Sequence, residues 1–210
     1  MRPHIGRIHI ITDTEIQSRY SHADLVALAL QGGAPTIQYR HKAFKREYDL
    51  SELYEIVRLV RAHQSQLIVN DYVDIAIEVQ ADGVHLGEED MPLEEAFRRL
   101  PPSMMVGATV HSLERYGEIR HFPIAYVGVG SVFATNTKSP KTPPLGIEGL
   151  RSFVESISHP VIAIGGITPE RAKMLFDAIP GLYGVAVVSA FCQADDPVRT
   201  VRELLATLPA

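Results

Sequence analysis

Two basic residues stand close together directly after a predicted strand, in the segment Gln38-Tyr39-Arg40-His41-Lys42. Side chains two positions apart on an extended chain leave on the same face, so Arg40 and Lys42 point to one place and Gln38 points with them. A guanidinium fork and an ammonium aimed at one place suit a polyphosphate, and an amide suits a heterocycle. The alternative is that these are charges on a solvated loop.

Two carboxylates, Asp71 and Asp90, follow neighbouring strands of the predicted fold. If they converge on a phosphate-bearing pocket, they would hold Mg²⁺, a hard cation that takes oxygen ligands and keeps several waters. The competing interpretation is that each is a helix cap, because Asp71 precedes a helix that begins near Val73 and Asp90 precedes Met91-Pro92. The sequence leaves both interpretations open.

Gly165 and Gly166 end another strand, and a helix opens shortly after them. Backbone N–H groups at such a turn can approach a phosphate closely, and the eighth strand end at Val188-Ser189 offers more of them. In a closed barrel the loops after strands seven and eight form the usual phosphate site. This favours phosphate binding over the alternative of a plain turn that needs glycine.

A long polar loop spans residues 135–142 and carries Lys138 and Lys141 among hydroxyl side chains. Its composition is typical of a lid that closes on anions, with a crossover of incidental charge as the alternative. His111 is a candidate general acid or base, or a packed polar residue at the start of the fifth helix. His85 lies inside an apolar strand and is predicted to line the barrel with a hydrogen-bond partner.

The elements that carry these residues alternate between short β-branched runs and longer stretches of helical spacing. The predicted strands are residues 8–12, 36–39, 67–70, 83–86, 104–109, 125–130, 161–164 and 184–188. The predicted helices begin near Ala23, Leu50, Val73, Pro92, Leu113, Ile147, Pro169 and Val198. Eight such units predict an α/β protein, a single (β/α)8 TIM barrel that forms one domain over residues 1–210. A doubly wound open sheet is the alternative.

Composition narrows the classes of partner. The formal net charge of -5 gives nucleic-acid binding no electrostatic support. No apolar stretch is long enough to span a bilayer, and the N-terminus lacks the features of a signal peptide. The single cysteine, Cys192, has no argued base, and zinc-binding patterns are missing from the sequence. We expect a cytoplasmic protein that binds neither nucleic acid nor membrane.

At these residues the chain resembles the thiamine-phosphate synthase family. The matching segments run in the family's order and cover nearly the whole chain. They are Gln38-Tyr39-Arg40-His41-Lys42, Asn70-Asp71, residues 82–87 with Asp90, Thr135-Asn136-Thr137-Lys138 with Gly146, residues 164–167 and residues 187–190. Each segment alone is a weak signal, but together they are a specific match.

The resemblance implies a role for each matching residue. Those that would bind the hydroxymethylpyrimidine diphosphate are Gln38, Tyr39, Arg40, His41, Lys42, Asn70 and Thr109. Those that would bind the thiazole phosphate are Thr135, Asn136, Thr137, Gly166, Val188 and Ser189. Asp71 and Asp90 would carry Mg²⁺. The catalytic cations that stabilise the departing diphosphate would be Arg40, Lys42 and Lys138.

The family's reaction expels diphosphate from the pyrimidine methylene and captures the resulting carbocation with the thiazole nitrogen, so no nucleophilic side chain is required. The chain departs from the family at Thr109, where serine is common, at His41, where an acidic residue is common, and at Glu88, where glutamine is common. The alternatives are a related thiazole tautomerase that uses His111 and a non-catalytic sensor of phosphate ligands. The family also suggests a homodimer.

Overall fold

The structure, a computed structural model, describes residues 5–44, 46–135 and 143–209. Eight parallel strands form one closed barrel in the order of the sequence, and the eighth strand pairs with the first. The predicted (β/α)8 barrel is confirmed, and the open-sheet alternative is wrong. In this fold the carboxyl ends of all eight strands open on one mouth.

Helices cover the outside of the strands. The strands are β1 Ile8–Thr12, β2 Thr36–Tyr39, β3 Gln66–Asn70, β4 Gly83–Leu86, β5 Met105–Val110, β6 Tyr126–Val129, β7 Val161–Ile164 and β8 Gly184–Val187. The helices are α1 His22–Gly32, α2 Arg46–Ala62, α3 Val73–Glu78, α4 Leu93–Arg99, α5 Leu113–Ile119, α6 Gly146–Ser156, α7 Pro169–Ala178, α8 Ser189–Cys192 and α9 Pro197–Leu205. No helix of the described ranges has the length and apolar character needed to cross a membrane.

The predicted bounds of β1, β2, β4 and β7 coincide with the observed ones, and the other strands differ by a residue at one end or at both. Helix α2 begins at Arg46, earlier than the predicted start near Leu50, because its first turn is polar and carries no apolar periodicity. Helix α8 was not predicted. It has only 4 residues, which is too short for a helical pattern to appear in the sequence.

Side-chain alternation gives each strand an outer and an inner face. Outer positions such as Ile10 and Val69 belong to the large core between strands and helices. Inner positions such as Ile68, Met105 and Tyr126 form a smaller apolar cluster. Because the lower interior is filled by these side chains, the polar inner positions near the strand ends face the space that remains at the mouth.

Gly107 shows how tightly that interior is packed. A Cβ atom added at Gly107 would lie 2.2 Å from Cζ of Tyr126, closer than any real carbon contact. The Tyr126 ring is therefore seated against the β5 backbone itself, where only a glycine leaves room. This packing fixes the position of the Tyr126 hydroxyl, which forms a hydrogen bond on the side that faces the mouth of the barrel.

Candidate functional site

A cavity of about 210 Å³ opens at the carboxyl ends of the strands. Most of the residues that the sequence singled out line it, although they come from the ends of seven different strands or from the loops that follow them. They are Gln38, Arg40, Lys42, Asn70, Asp71, Asp90, Thr109, Thr135, Gly166, Val188 and Ser189. The tertiary structure thus brings together most of the predicted site in one place.

Two predicted residues lie elsewhere. Tyr39 and His41, both within the described ranges, line neither cavity of this mouth. Tyr39 is buried on the outer face of β2, where its hydroxyl bonds Nδ1 of His41 at 3.1 Å and its ring packs on His22. Because alternate residues of a strand point to opposite faces, a side chain between Gln38 and Arg40 must turn away from the mouth. Asn136, Thr137 and Lys138 lie outside the described residues.

Arg40 is held in the cavity by a carboxylate that sequence reasoning missed. Its Nη1 forms an ion pair with Oδ2 of Asp13, whose side chain is only 2% exposed. The other carboxylate oxygen of Asp13 accepts the backbone N–H of Glu15 at 2.9 Å. The signal was available, since Asp13 directly follows β1 just as the other candidates follow their strands.

Lys42 and Asp71 form a second ion pair at the mouth. Burial raises the pKa of the Asp71 carboxyl, the adjacent Asp90 raises it further, and Lys42 opposes both effects. Asp90 is fixed in turn, because its Oδ2 accepts the backbone N–H of Gly87 at 2.6 Å. The two carboxylates and the ammonium therefore share one charged cluster.

Neither carboxylate caps a helix. The residue at the cap of α3 is Tyr72, and that of α4 is Pro92, and neither helix start has a side-chain cap bond. Asp71 instead adopts a left-handed backbone with φ 68, and its carboxylate pairs with Lys42. The helix-cap interpretation of Asp71 and Asp90 is wrong.

The carboxylate pair fits a hard divalent cation that completes its shell with substrate oxygens and water. Mg²⁺ is typically bound through one or two carboxylates plus substrate phosphates, not by a cage made of protein alone. Among the described residues no group of three or more histidine, cysteine, aspartate or glutamate side chains could hold a metal. If Mg²⁺ binds in this way, Asp71 and Asp90 are the residues that would hold it, beside the cations Arg40 and Lys42 that suit a diphosphate.

A polar chain connects the barrel interior with the cavity. Nδ1 of His85 bonds the Tyr126 hydroxyl and Nε2 bonds the Thr109 hydroxyl, both at 3.0 Å. Burial lowers the pKa of His85 to about 4, so the imidazole is neutral near pH 7 and carries a single N–H. His85 lines the barrel with hydrogen-bond partners, as predicted, and it fixes the hydroxyl of Thr109 at the cavity wall.

Buried histidines make the stability of this fold depend on pH. Burial lowers the pKa of His85 and His22 to about 4 and that of His9 to about 3, from the ordinary 6.5. The histidines of the folded protein then bind protons more weakly than those of the unfolded chain. Their contribution to the free energy of unfolding is therefore complete above about pH 6.5 and is lost as pH falls toward 4. We expect the free energy of unfolding in urea to fall by a few kcal/mol over that range.

The contribution of His85 is isolated by comparing pH profiles. The variant His85→Gln has no imidazole to protonate, so its unfolding free energy should decline less steeply between about pH 6.5 and 4 than that of the unchanged protein. The exposed His63 supplies the control, since His63→Gln should leave the slope as it is. Equal slopes for His85→Gln and the unchanged protein would show that His85 is not held neutral by the fold.

A second and larger cavity, of about 460 Å³, adjoins the first and shares Thr135, Gly166 and Ser189 with it. Gly165 and Gly166 both have left-handed backbones, with φ 102 and φ 63. A Cβ at Gly166 would lie 2.5 Å from the carbonyl oxygen of Ala134, so glycine is also required by the close approach of the preceding loop. Ser189 begins α8, the short helix that follows β8.

Two further residues bear on the chemistry. His111 lines the first cavity, with Nδ1 bonded to the carbonyl oxygen of Gly130 at 3.1 Å and its backbone N–H donated to Glu88 at 3.1 Å. Its helix begins later, at Leu113, with Ser112 as the cap. Cys192 is buried, and burial raises the pKa of its thiol to about 12, so it is not a nucleophile at neutral pH.

Comparison with known proteins agrees with this arrangement. The family described as Thiamine monophosphate synthase matches residues 8–191. The thiamine-phosphate synthase of Pyrococcus abyssi is 42% identical over 200 residues, which is 94% of this chain and 92% of that protein. The thiamine-phosphate synthase of Albidiferax ferrireducens is 39% identical over 191 residues, which is 91% of this chain and 86% of that protein.

Solved structures agree as well. The thiamine phosphate pyrophosphorylase from Pyrococcus furiosus superposes with a TM-score of 0.85 at 37% identity, covering 96% of this chain and 94% of that one. A 3-hexulose-6-phosphate synthase, at 17% identity and a TM-score of 0.66, shares the barrel alone. These relatives do not favour a tautomerase or a non-catalytic sensor. Near-complete coverage at such identity, on a barrel whose mouth gathers the expected charges, shows that the chain belongs to the thiamine-phosphate synthase family.

Proposed function

We propose that this protein condenses 4-amino-2-methyl-5-hydroxymethylpyrimidine diphosphate with hydroxyethylthiazole phosphate to give thiamine phosphate and diphosphate. The observation that carries the proposal is one cavity lined by the cations Arg40 and Lys42 and by the carboxylates Asp71 and Asp90. That cavity adjoins a second one and shares Gly166 with it, so two substrates that carry phosphate groups can lie side by side.

The chain's own residues account for most of the chemistry. As the C–O bond at the pyrimidine methylene breaks, its electron pair leaves with the diphosphate, where Arg40 and Lys42 stabilise the growing negative charge. Gln38 and Thr109, on inner faces of the barrel, bind the pyrimidine. The thiazole nitrogen then donates its electron pair to the methylene carbon. No proton is transferred in this step, so the site requires no general base.

Mg²⁺ bound by Asp71 and Asp90 would neutralise diphosphate oxygens and so assist departure of the leaving group. Ser189, Val188 and Gly166 would bind the thiazole phosphate through backbone and hydroxyl groups. The roles of Asn136, Thr137 and Lys138 are supported by the family resemblance of their segment. We also propose that the 210 residues act as one domain, as a homodimer and in the cytoplasm.

The direct test is an assay with purified protein, Mg²⁺, the pyrimidine diphosphate and the thiazole phosphate. Thiamine phosphate and free diphosphate should appear in equal amounts, and EDTA should stop both. The matched control is the same reaction without the thiazole phosphate, which should release no thiamine phosphate. If the thiazole phosphate binds but no thiamine phosphate forms with Mg²⁺ present, the proposal is overturned.

Substitution of His111 distinguishes the proposed condensation from a reaction in which this histidine transfers protons. Because the condensation moves no proton, His111→Asn should lower kcat by less than about tenfold, whereas removal of a general acid or base costs on the order of 10²-fold or more. Asparagine is chosen because its amide can still donate to the carbonyl oxygen of Gly130. Steady-state kinetics measure the effect, and a hundredfold loss would assign His111 an acid–base role.

A further inference from the structure

The second cavity contains a charged side chain that has no role in the proposed reaction. Arg171 is the single charged side chain among the described residues that line it. We infer that Arg171 binds the phosphate of the thiazole substrate and thereby sets the preference for phosphorylated over unphosphorylated thiazole. This inference rests on the proposed function and adds a specificity-determining residue to it.

The position of Arg171 in its helix is electrostatically unfavourable. It is the third residue of α7, in the first turn, where the helix dipole disfavours cations and favours anions. The same turn begins with Thr168 as cap, whose hydroxyl accepts the Arg171 backbone N–H at 3.3 Å. The helix dipole therefore does not stabilise this cation, whereas a bound anion would.

Two contacts hold the guanidinium beside the cavity. Its Nη1 donates to the carbonyl oxygen of Gly166 at 2.5 Å, and its Cζ lies 4.8 Å from the centre of the Phe133 ring. Both partners are uncharged, and within the described part of the chain no carboxylate forms an ion pair with Arg171. The side chain is therefore oriented in advance while its charge stays available to a ligand.

The donor geometry suits a phosphate. A guanidinium has five N–H donors in a planar fork, and the contact with Gly166 uses one of them. The remaining donors can bind two phosphate oxygens at once. Gly166 and Ser189, the proposed phosphate contacts, line the same cavity, so one oxyanion there would meet backbone, hydroxyl and guanidinium together.

The test compares Arg171→Gln with Lys173→Gln. Glutamine removes the charge but keeps an amide donor for the carbonyl of Gly166. Lys173 provides the matched control, because it lies on the same helix, is exposed and pairs only with Asp177 among the residues described. Arg171→Lys tests the fork, since it keeps the charge without the planar donor pair. Circular dichroism and thermal unfolding check that each variant is folded.

We expect Arg171→Gln to raise KM for the thiazole phosphate by about 10- to 100-fold, the usual effect of losing a hydrogen bond to a charged group. KM for the pyrimidine diphosphate should stay unchanged. The unphosphorylated thiazole alcohol, measured as a competitive inhibitor, should bind Arg171→Gln and the unchanged protein equally well. KM for the thiazole phosphate in Arg171→Lys should lie between the values for Arg171→Gln and the unchanged protein. In Lys173→Gln it should equal that of the unchanged protein.

Three results would overturn the inference. KM for the thiazole phosphate could stay unchanged in Arg171→Gln, or the alcohol could lose affinity as much as the phosphate, which would mean a purely structural role. The rise in KM could also appear only with a thiazole phosphate that bears a ring carboxylate, which would mean that Arg171 contacts the carboxylate and not the phosphate. Failure of the proposed function is distinguishable, because the unchanged protein would then form no thiamine phosphate at all.

Discussion

Asp71→Asn is expected to lower kcat/KM for the condensation on the order of 10³-fold, equivalent to about 4 kcal/mol of transition-state stabilisation. The amide is nearly isosteric with the carboxylate but carries no charge, so a hard cation loses one of its two protein ligands. Asparagine also tolerates the left-handed backbone at this position, where φ is 68, better than alanine does. The loss is therefore chemical and not a consequence of backbone strain.

The measurement is kcat/KM at increasing Mg²⁺ concentration. Asp71→Asn should require far more Mg²⁺ for any residual turnover, and Asp90→Asn should behave similarly. Asp74 provides the control, because it lies three residues further on, is exposed and pairs with Arg99 on the surface, so Asp74→Asn should change neither turnover nor Mg²⁺ dependence. Unchanged activity in Asp71→Asn would remove that carboxylate from the metal site.

Arg40→Ala is expected to harm both stability and turnover, for different reasons. It leaves the Asp13 carboxylate, 2% exposed, without its counter-charge, and breaking a buried ion pair in this way costs about 3–5 kcal/mol of unfolding free energy. It also removes a cation from the leaving-group site, which should lower kcat on the order of 10²-fold. Urea unfolding measures the first effect and steady-state kinetics the second.

The double variant Asp13→Asn with Arg40→Ala separates the two effects. Neutralising Asp13 removes the unpaired buried charge, so most of the lost stability should return, while turnover should stay low. Arg99→Ala is the control, because it breaks an exposed pair with Asp74 and should cost no more than about 1 kcal/mol without affecting turnover. If turnover returned in the double variant, Arg40 would serve only to compensate Asp13.

Prediction succeeded where the signal is local. The strands were located to within a residue at each end because β-branched runs bounded by polar residues are a property of short segments. The direction of Gln38, Arg40 and Lys42 followed from alternation along one strand. The same alternation turns Tyr39 and His41 away from the cavity. A match of the whole segment to the family therefore implies cavity contacts that these two residues do not make.

Prediction failed or stayed open where two distant segments decide the outcome. Asp71 and Asp90 occupy positions that suit a helix cap and a metal ligand equally well, and only the folded backbone shows that Tyr72 and Pro92 stand at the helix caps. The position of Asp13 directly after β1 marks it as a candidate, but nothing in its own segment reveals the partner Arg40, which follows β2. Helix α8 follows β8 closely and has 4 residues, which is too few for a periodic pattern to appear in the sequence.

The sequence by itself determined the class of fold, the order of the elements and the residue types available at each strand end, because these depend on periodicity and on chemistry encoded within a few residues. Only the tertiary structure decided which of those residues meet. Barrel closure sets β8 beside β1 and places Arg171 in a cavity with Gly166 and Ser189. Such proximity depends on the packing of the whole chain, and no short segment carries it.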